Sequence, residues 1–325
     1  MDASTLADAM DLSIFFAGTA GSVPTARRGL PAVLVRRGGD RLLFDCGEGT
    51  QRQLLRSVGL ADVHDVFLTH LHVDHWLGIL GMVKTFALRD REIPLELHGP
   101  PGTVELMDAM RRVIGRLPYP FHVSDLEGGD VVERDGYEVG AFVVRHRGGP
   151  ALGYALVEPP RPGRFDDARA QTLGVSFGPD FGRLQRGETV NGVAPEDVIG
   201  PARPGRRIVL SGDTAPCEAV RMAALEADVL VHEATFTDDE LERAMETGHS
   251  TARQAAEIAR ECEVGLLALT HVSTRYTGRE IRDEARGVFT RTELPRDFDT
   301  IEVPLAERGR PEIVRWGRDD ERPSG

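Results

Sequence analysis

Asp65-Val66-Phe67-Leu68-Thr69-His70-Leu71-His72-Val73-Asp74-His75 is the stretch on which the reading of this chain turns. An apolar β-forming run, Asp65 to Thr69, leads straight into three histidines and an aspartate packed into six residues. The donors therefore emerge at the rim of a strand, where open α/β sheets keep their ligand sites. Imidazole nitrogen with carboxylate oxygen suits zinc, manganese or iron. With 10 histidines in 325 residues, chance gives this pattern about once in a thousand such chains, so a polar loop with incidental histidines is discarded. Four donors this close cannot all face one tetrahedral ion without strain. Two ions sharing the site is the more natural arrangement, and it needs donors from elsewhere in the chain. His146 follows Val143-Val144-Arg145, Asp213 sits in Leu210-Ser211-Gly212-Asp213-Thr214, and His271 follows Leu267-Ala268-Leu269-Thr270. Any one of these could be a satisfied core or loop residue. Their shared position past apolar runs makes them candidates together.

Working outward, strand-like and helix-like runs alternate. Strands are expected at 12–16, 32–35, 42–44, 65–69 and 138–145, with helices at 51–58 and 103–114. The second half repeats the pattern, with strands at 207–211, 228–232 and 264–270 and helices at 215–226 and 251–262. The pattern implies an α/β fold of two packed sheets with helices outside. One segment breaks it. Residues 159–204 hold seven of the 20 prolines, including Pro159-Pro160-Arg161-Pro162-Gly163 and Gly178-Pro179. This reads as an inserted arm or long loop rather than core. The expected organisation is one domain over 11–317 with the arm inside it, and flexible tails at 1–10 and 318–325. Met10 is a second candidate start, because the first strand-like run follows it directly.

Composition excludes several classes. No run of eighteen apolar residues occurs, so no membrane span is indicated. The acidic first ten residues lack the form of a secretory signal. Cys46, Cys217 and Cys262 are scattered and odd in number, which argues against a disulfide framework or thiolate zinc site and for the cytoplasm. The net charge is −13, and Lys84 is the only lysine among 39 basic residues. That balance fits a salt-adapted or GC-rich source. It argues against indiscriminate binding of nucleic acid, which needs a basic field. In molar salt the Debye length is only about 3 Å, so close Arg and metal contacts to phosphate would carry any recognition of RNA.

Further motifs carry a family resemblance. They are Phe16-Ala17-Gly18-Thr19-Ala20-Gly21 with Pro24-Thr25, Phe44-Asp45-Cys46-Gly47-Glu48-Gly49-Thr50-Gln51-Arg52-Gln53, Gly153-Tyr154, and Phe177-Gly178-Pro179-Asp180-Phe181-Gly182-Arg183-Leu184. Later come Ser211-Gly212-Asp213-Thr214, His232-Glu233-Ala234-Thr235, Gly248-His249-Ser250-Thr251 and Thr270-His271-Val272-Ser273-Thr274-Arg275-Tyr276. With the His-x-His-x-Asp-His cluster, the chain resembles the metallo-β-lactamase superfamily. Over nearly its whole length it resembles the ribonuclease Z family of tRNA 3′-processing endonucleases. Two departures stand out: Val73 where glycine is frequent, and Arg28-Gly29 where Arg-Asn is common, the latter bearing on contacts near the scissile nucleotide.

The resemblance implies an αββα sandwich of two mixed sheets and an exosite arm that grips tRNA near Gly178 and Pro179. It implies a homodimer, no organic cofactor, and two divalent metal ions, zinc foremost, with manganese or iron as alternatives. One ion would take His70, His72 and His146, the other Asp74, His75 and His271, with Asp213 bridging. Hydroxide held between them would attack phosphorus after the discriminator nucleotide of precursor tRNA, leaving a 3′-hydroxyl on the tRNA and a 5′-phosphate on the trailer. Asp74 would accept the proton, and His249 would supply one to the leaving oxygen with Glu233 beside it. His232 would stand behind a ligand, and His64, His98 and His122 are expected to be surface or satisfied core residues. Two other readings remain open at this point: a general phosphodiesterase or other hydrolase of the superfamily, and an inert RNA-binding subunit. The presence of all seven donors disfavours the last.

Overall fold

The protein is described by a computed structural model over residues 11–60 and 63–317. The expected tails at 1–10 and 318–325, and the question of Met10, lie outside the described residues.

Strands β1 (Leu12–Gly18), β2 (Ala32–Arg37), β3 (Asp40–Phe44), β4 (Asp65–Phe67), β5 (Leu95–Gly99) and β6 (Phe121–Asp125) open the chain. They are followed by β7 (Val131–Arg134), β8 (Tyr137–Val143), β9 (Leu152–Val157), β10 (Arg207–Leu210), β11 (Val229–Glu233) and β12 (Leu266–Thr270), then by β13 (Thr292–Glu293), β14 (Thr300–Glu302) and β15 (Glu312–Val314). They form two mixed sheets, ordered β15-β14-β1-β2-β3-β4-β5-β6 and β13-β12-β11-β10-β9-β8-β7. The fold is the expected αββα sandwich.

Strand alternation builds the layers. Ile14, Phe16, Leu42, Phe44 and Phe67 from the first sheet meet Tyr154, Leu210, Val231 and Ala268 from the second in one buried cluster. The intervening residues Phe15, Leu43, Val66 and Leu68 face outward against the helices Thr50–Arg56, Gly78–Leu88 and Thr103–Ile114. On the other side, Val209, Leu230, Leu267 and Leu269 pack on the helices Glu218–Ala224, Ala252–Glu261 and Gly278–Arg286. A side chain such as Leu43, fully buried on the outer face of the first sheet, contributes about 1.5–3 kcal/mol by leaving water.

Register aims the strand ends. β3 and β4 run parallel with Phe44 opposite Phe67, so the two chains leave side by side at Asp45 and Leu68. β10, β11 and β12 are parallel too, with Leu210 opposite Val231 and Glu233 opposite Thr270. Ser211–Asp213, Glu233 and His271 therefore emerge at one end of the second sheet.

Residues 158–206 form a separate compact unit, distinct from the unit made of the rest of the chain. The expectation of a loop needs correction. The segment carries two short helices, Asp167–Thr172 and Pro179–Gln185, around its own buried cluster of Ala170, Val175, Phe181, Leu184, Val190, Val193 and Val198. Its two ends pair through Arg161 with Arg203 and Phe165 with Ile199. At its base Arg206 donates to both oxygens of Glu158, each at 2.7 Å. The prolines misled because they sit at its ends and at a helix start, where φ near −65° suits the chain.

Candidate metal centre

Each candidate donor leaves the end of a strand. His70, His72, Asp74 and His75 follow β4, with the short helix Val73–Trp76 carrying the last two. His146 follows β8, Asp213 follows β10, and His271 follows β12. Asp45 and His271 turn with φ of 58° and 56°, a left-handed backbone that side chains adopt at a cost of about 1–3 kcal/mol. Gly212 turns at φ 60° beneath them, and a Cβ there would lie 2.8 Å from Thr69 Cβ.

The side chains converge as two trios. His70 Nε2 and His146 Nε2 lie 3.0 and 3.2 Å from His72 Nδ1. Two nitrogens on one tetrahedral ion at about 2.0–2.1 Å would stand about 3.3 Å apart. Donor atoms of Asp74, His75 and His271 form the second trio, all within 4.8 Å of one another. Asp213 Oδ2 faces both trios, 3.9 Å from His70 Nε2, 3.5 Å from His75 Nε2 and 3.1 Å from His271 Nε2. All seven candidates are thus brought together.

The second nitrogen of four imidazoles is held by oxygen, which fixes the ring and the tautomer. His70 Nδ1 meets Thr69 Oγ1 at 3.0 Å, His75 Nδ1 meets Asp45 Oδ2 at 2.8 Å, His146 Nδ1 meets Gly248 O at 2.9 Å, and His271 Nδ1 meets Thr235 Oγ1 at 2.8 Å. Asp45, Thr69 and Thr235 lie within the sequence motifs, and their orienting role emerges only from these contacts. The signal was available for Asp45, a carboxylate directly past an apolar strand.

The nitrogens left over fit a metal. Nε2 of His75 and of His271 are buried and make no hydrogen bond among the described residues, an expensive state unless a cation takes them. Burial pulls the His75 imidazole down, yet Asp45 and Asp213 outweigh it and hold His75 well above its ordinary value. The centre thus draws positive charge, and metal and proton compete for it.

His249 stands beside the donors. Its Nδ1 lies 2.8 Å from Glu233 Oε1 and 3.9 Å from Asp213 Oδ2. Burial would lower this imidazole, but the Glu233 charge and hydrogen bond push it up to about 9. Glu233 is buried and also accepts from the Thr214 amide, the Thr235 amide and Thr235 Oγ1.

Several expectations change. Along β11, Val229 and Val231 face the other sheet while Leu230 faces the helices. Alternation therefore sends His232 to the helix side, where its Nδ1 bonds Glu233 O at 2.8 Å. Its ring is not behind a candidate ligand. Arg28 turns inward, donating to Thr19 Oγ1 and Pro295 O. His98 is satisfied by Ser124 and Asp65, and His122 is exposed on Glu96. His64 is half-buried, and its Nδ1 is buried without a partner among the described residues.

In the inserted unit, Gly178 (φ 140°) precedes the helix that Pro179 begins, and the neighbouring Phe177 is 81% exposed. Arg183 and Arg186 are exposed there, Arg183 paired with Glu188 and Asp180 and Arg186 with Glu188.

A family model described as a beta-lactamase superfamily domain matches residues 40–272. The ribonuclease Z of Myxococcus xanthus is 47% identical over 308 residues, covering 91% of this chain and 99% of that protein. The chain belongs to the ribonuclease Z family. Ribonuclease Z of Haloferax volcanii is likewise 47% identical over 309 residues, covering 92% of this chain and 97% of that protein. Among solved structures, human tRNase Z, short form, is similar with a TM-score of 0.67 at 27% identity, covering 90% of this chain and 100% of that one. The resemblance read from the motifs is therefore borne out, and membership in the ribonuclease Z family carries with it a centre for divalent metal ions. Among the described residues, no helix is long and apolar enough to cross a membrane.

Proposed function

We propose that the protein is a metal-dependent endoribonuclease that removes the 3′ trailer of precursor tRNA, cutting after the discriminator nucleotide. The observation that carries the reading is the seven-residue donor set beside the Glu233–His249 pair. His70, His72 and His146 would hold one divalent ion and Asp74, His75 and His271 a second, with Asp213 shared. Zinc suits this nitrogen-rich set best. Two such ions would supply Lewis acidity, acidifying water and screening the charge of the phosphodiester.

The side chains supply the proton movements. Asp74 accepts the proton of the attacking water. Its Oδ2 is held by the Ser22 amide at 3.1 Å, which fixes the carboxylate for that task. The bond to the ribose 3′-oxygen breaks as water adds to phosphorus, and His249 gives that oxygen its proton. With Nδ1 on Glu233, Nε2 is the nitrogen free to do so. An imidazole raised to about 9 carries the proton at neutral pH. Glu233 acts through His249, because its oxygens are already filled by buried donors. The products are a tRNA 3′-hydroxyl and a trailer 5′-phosphate.

The unit around Gly178 and Pro179 would grip the tRNA body by shape and backbone contact, and the enzyme would work as a homodimer in the cytoplasm. The test is one precursor tRNA with a 3′ trailer, assayed with zinc or manganese, with chelator, and with Asp74→Ala. A single cut after the discriminator, lost with chelator and in the variant, is expected. Metal-dependent hydrolysis of a small phosphodiester with the tRNA uncut would move the substrate to a general phosphodiester and sink the tRNA reading.

A further inference from the structure

The segment between β1 and β2 bears directly on the metal centre. Its neck is closed by the Ala20 amide donating to Gly29 O at 2.9 Å, and its far turn by the Thr25 amide donating to Arg28 O at 2.8 Å. Beyond the neck, the Gly21 amide donates to Val272 O and the Val272 amide to Thr19 O, which fastens the loop to the neighbour of His271. Gly21 lies so near that a Cβ would stand 2.7 Å from His271 Nδ1. Ser22, at φ 49°, directs its amide to Asp74 Oδ2 at 3.1 Å. Two candidate ligands are thus aimed by one loop.

A single carboxylate holds that loop. Asp297 Oδ1 accepts from Thr19 Oγ1 at 2.7 Å, on the outgoing stem. Its Oδ2 accepts from the Gly29 amide at 2.6 Å, on the returning stem, and from Gln53 Nε2 at 2.6 Å, on the helix Thr50–Arg56. Arg28 reinforces the knot by donating to Thr19 Oγ1 and Pro295 O. Each of these partners of Asp297 is a donor in a buried or part-buried setting, so only an acceptor at both oxygens satisfies them; an amide would set N–H against N–H.

We propose that Asp297 is a positioning residue: it clasps both stems of the 19–29 loop and, through Gly21 and Ser22, sets the aim of His271 and Asp74. It lies outside the donor set itself. The proposal rests on the metal-centre reading above. A displacement of reacting groups by about 1 Å can cost about a hundredfold in rate, so a clasp this near the chemistry acts on kcat.

The test uses the full chain loaded with cobalt(II), whose visible absorption bands report ligand geometry. Asp297→Asn removes the double acceptor, and Thr19→Val removes one link without changing side-chain volume much, while Thr19→Ser keeps the hydroxyl. Shifted cobalt bands are expected in the first two, with kcat on a small phosphodiester lowered about tenfold or more and KM within about twofold. Thr19→Ser should keep the bands and the rate. Wild-type bands and wild-type kcat in Thr19→Val overturn the proposal, whatever its melting temperature, and leave the metal centre standing. No cobalt bands in the unaltered chain overturn the metal-centre reading, and the proposal with it.

Discussion

At the scale of single residues, the proton on His249 decides the pH behaviour. Its pKa is raised from 6.5 to about 9. The stability this imidazole gains from Glu233 is therefore fully present below pH 6.5 and is lost as pH rises through about 9. The chemical step should fall on the alkaline side as His249 loses its proton. Glu233→Gln removes the charge that raises it, so the alkaline limb of single-turnover kcat should move down by about one unit or more. An unmoved limb would show that another group titrates there. Asp45 tests the orienting oxygens. Asp45→Ala frees His75 Nδ1 and should weaken metal binding by about 10–100-fold, measured by competition with a chromophoric chelator. The ligands themselves were legible in the sequence because histidine is scarce and three cluster within six positions. Their orienting oxygens were not, since Thr69 and Thr235 look like any other threonine until the fold brings them to a ring nitrogen.

At the scale of elements, strand ends do the placing. Gly212 lets the chain turn after β10 so that Asp213 faces both trios. Gly212→Ala would force a side chain into φ 60° and against Thr69. A loss of about 1–3 kcal/mol in stability is expected, together with weaker metal binding, by thermal melts with and without metal. Unchanged melting in both states would show that the turn relaxes freely. Most central strands were readable, β1, β3 and β10 to β12 above all, because apolar β-formers dominate there, while β5 and β9 were not expected. The outer strands were missed for a physical reason. β13 has two residues and β14 and β15 three each, too few to show a period. β6 is half-exposed along most of its length. The helix Gly78–Leu88 also went unread, since its Gly-Ile-Leu-Gly-Met-Val start is apolar on every side and carries no cap residue.

At the scale of the whole molecule, two units divide the labour under the proposed function. Replacing residues 160–204 by a short Gly-Ser linker keeps Glu158 and Arg206 and removes the inserted unit with its apolar cluster. Binding of precursor tRNA, followed by filter retention, should weaken severely while hydrolysis of a small phosphodiester persists. Equal loss of both would mean that the unit supports the fold instead of the substrate. The insert was visible in the sequence as an interruption, but its own core was not, because seven small or scattered apolar residues among prolines resemble a linker. One further consequence follows from where the seven donors lie. Four come from the first sheet before residue 76 and three from the second, the last at His271. A chain still being made can offer only the early half of the set. Under the proposed assignment, the second ion's set closes only once His271 has left the ribosome and both sheets have closed on each other. A product cut short before His271 then lacks a full second set, so completion of the fold itself is the safety catch on the paired centre.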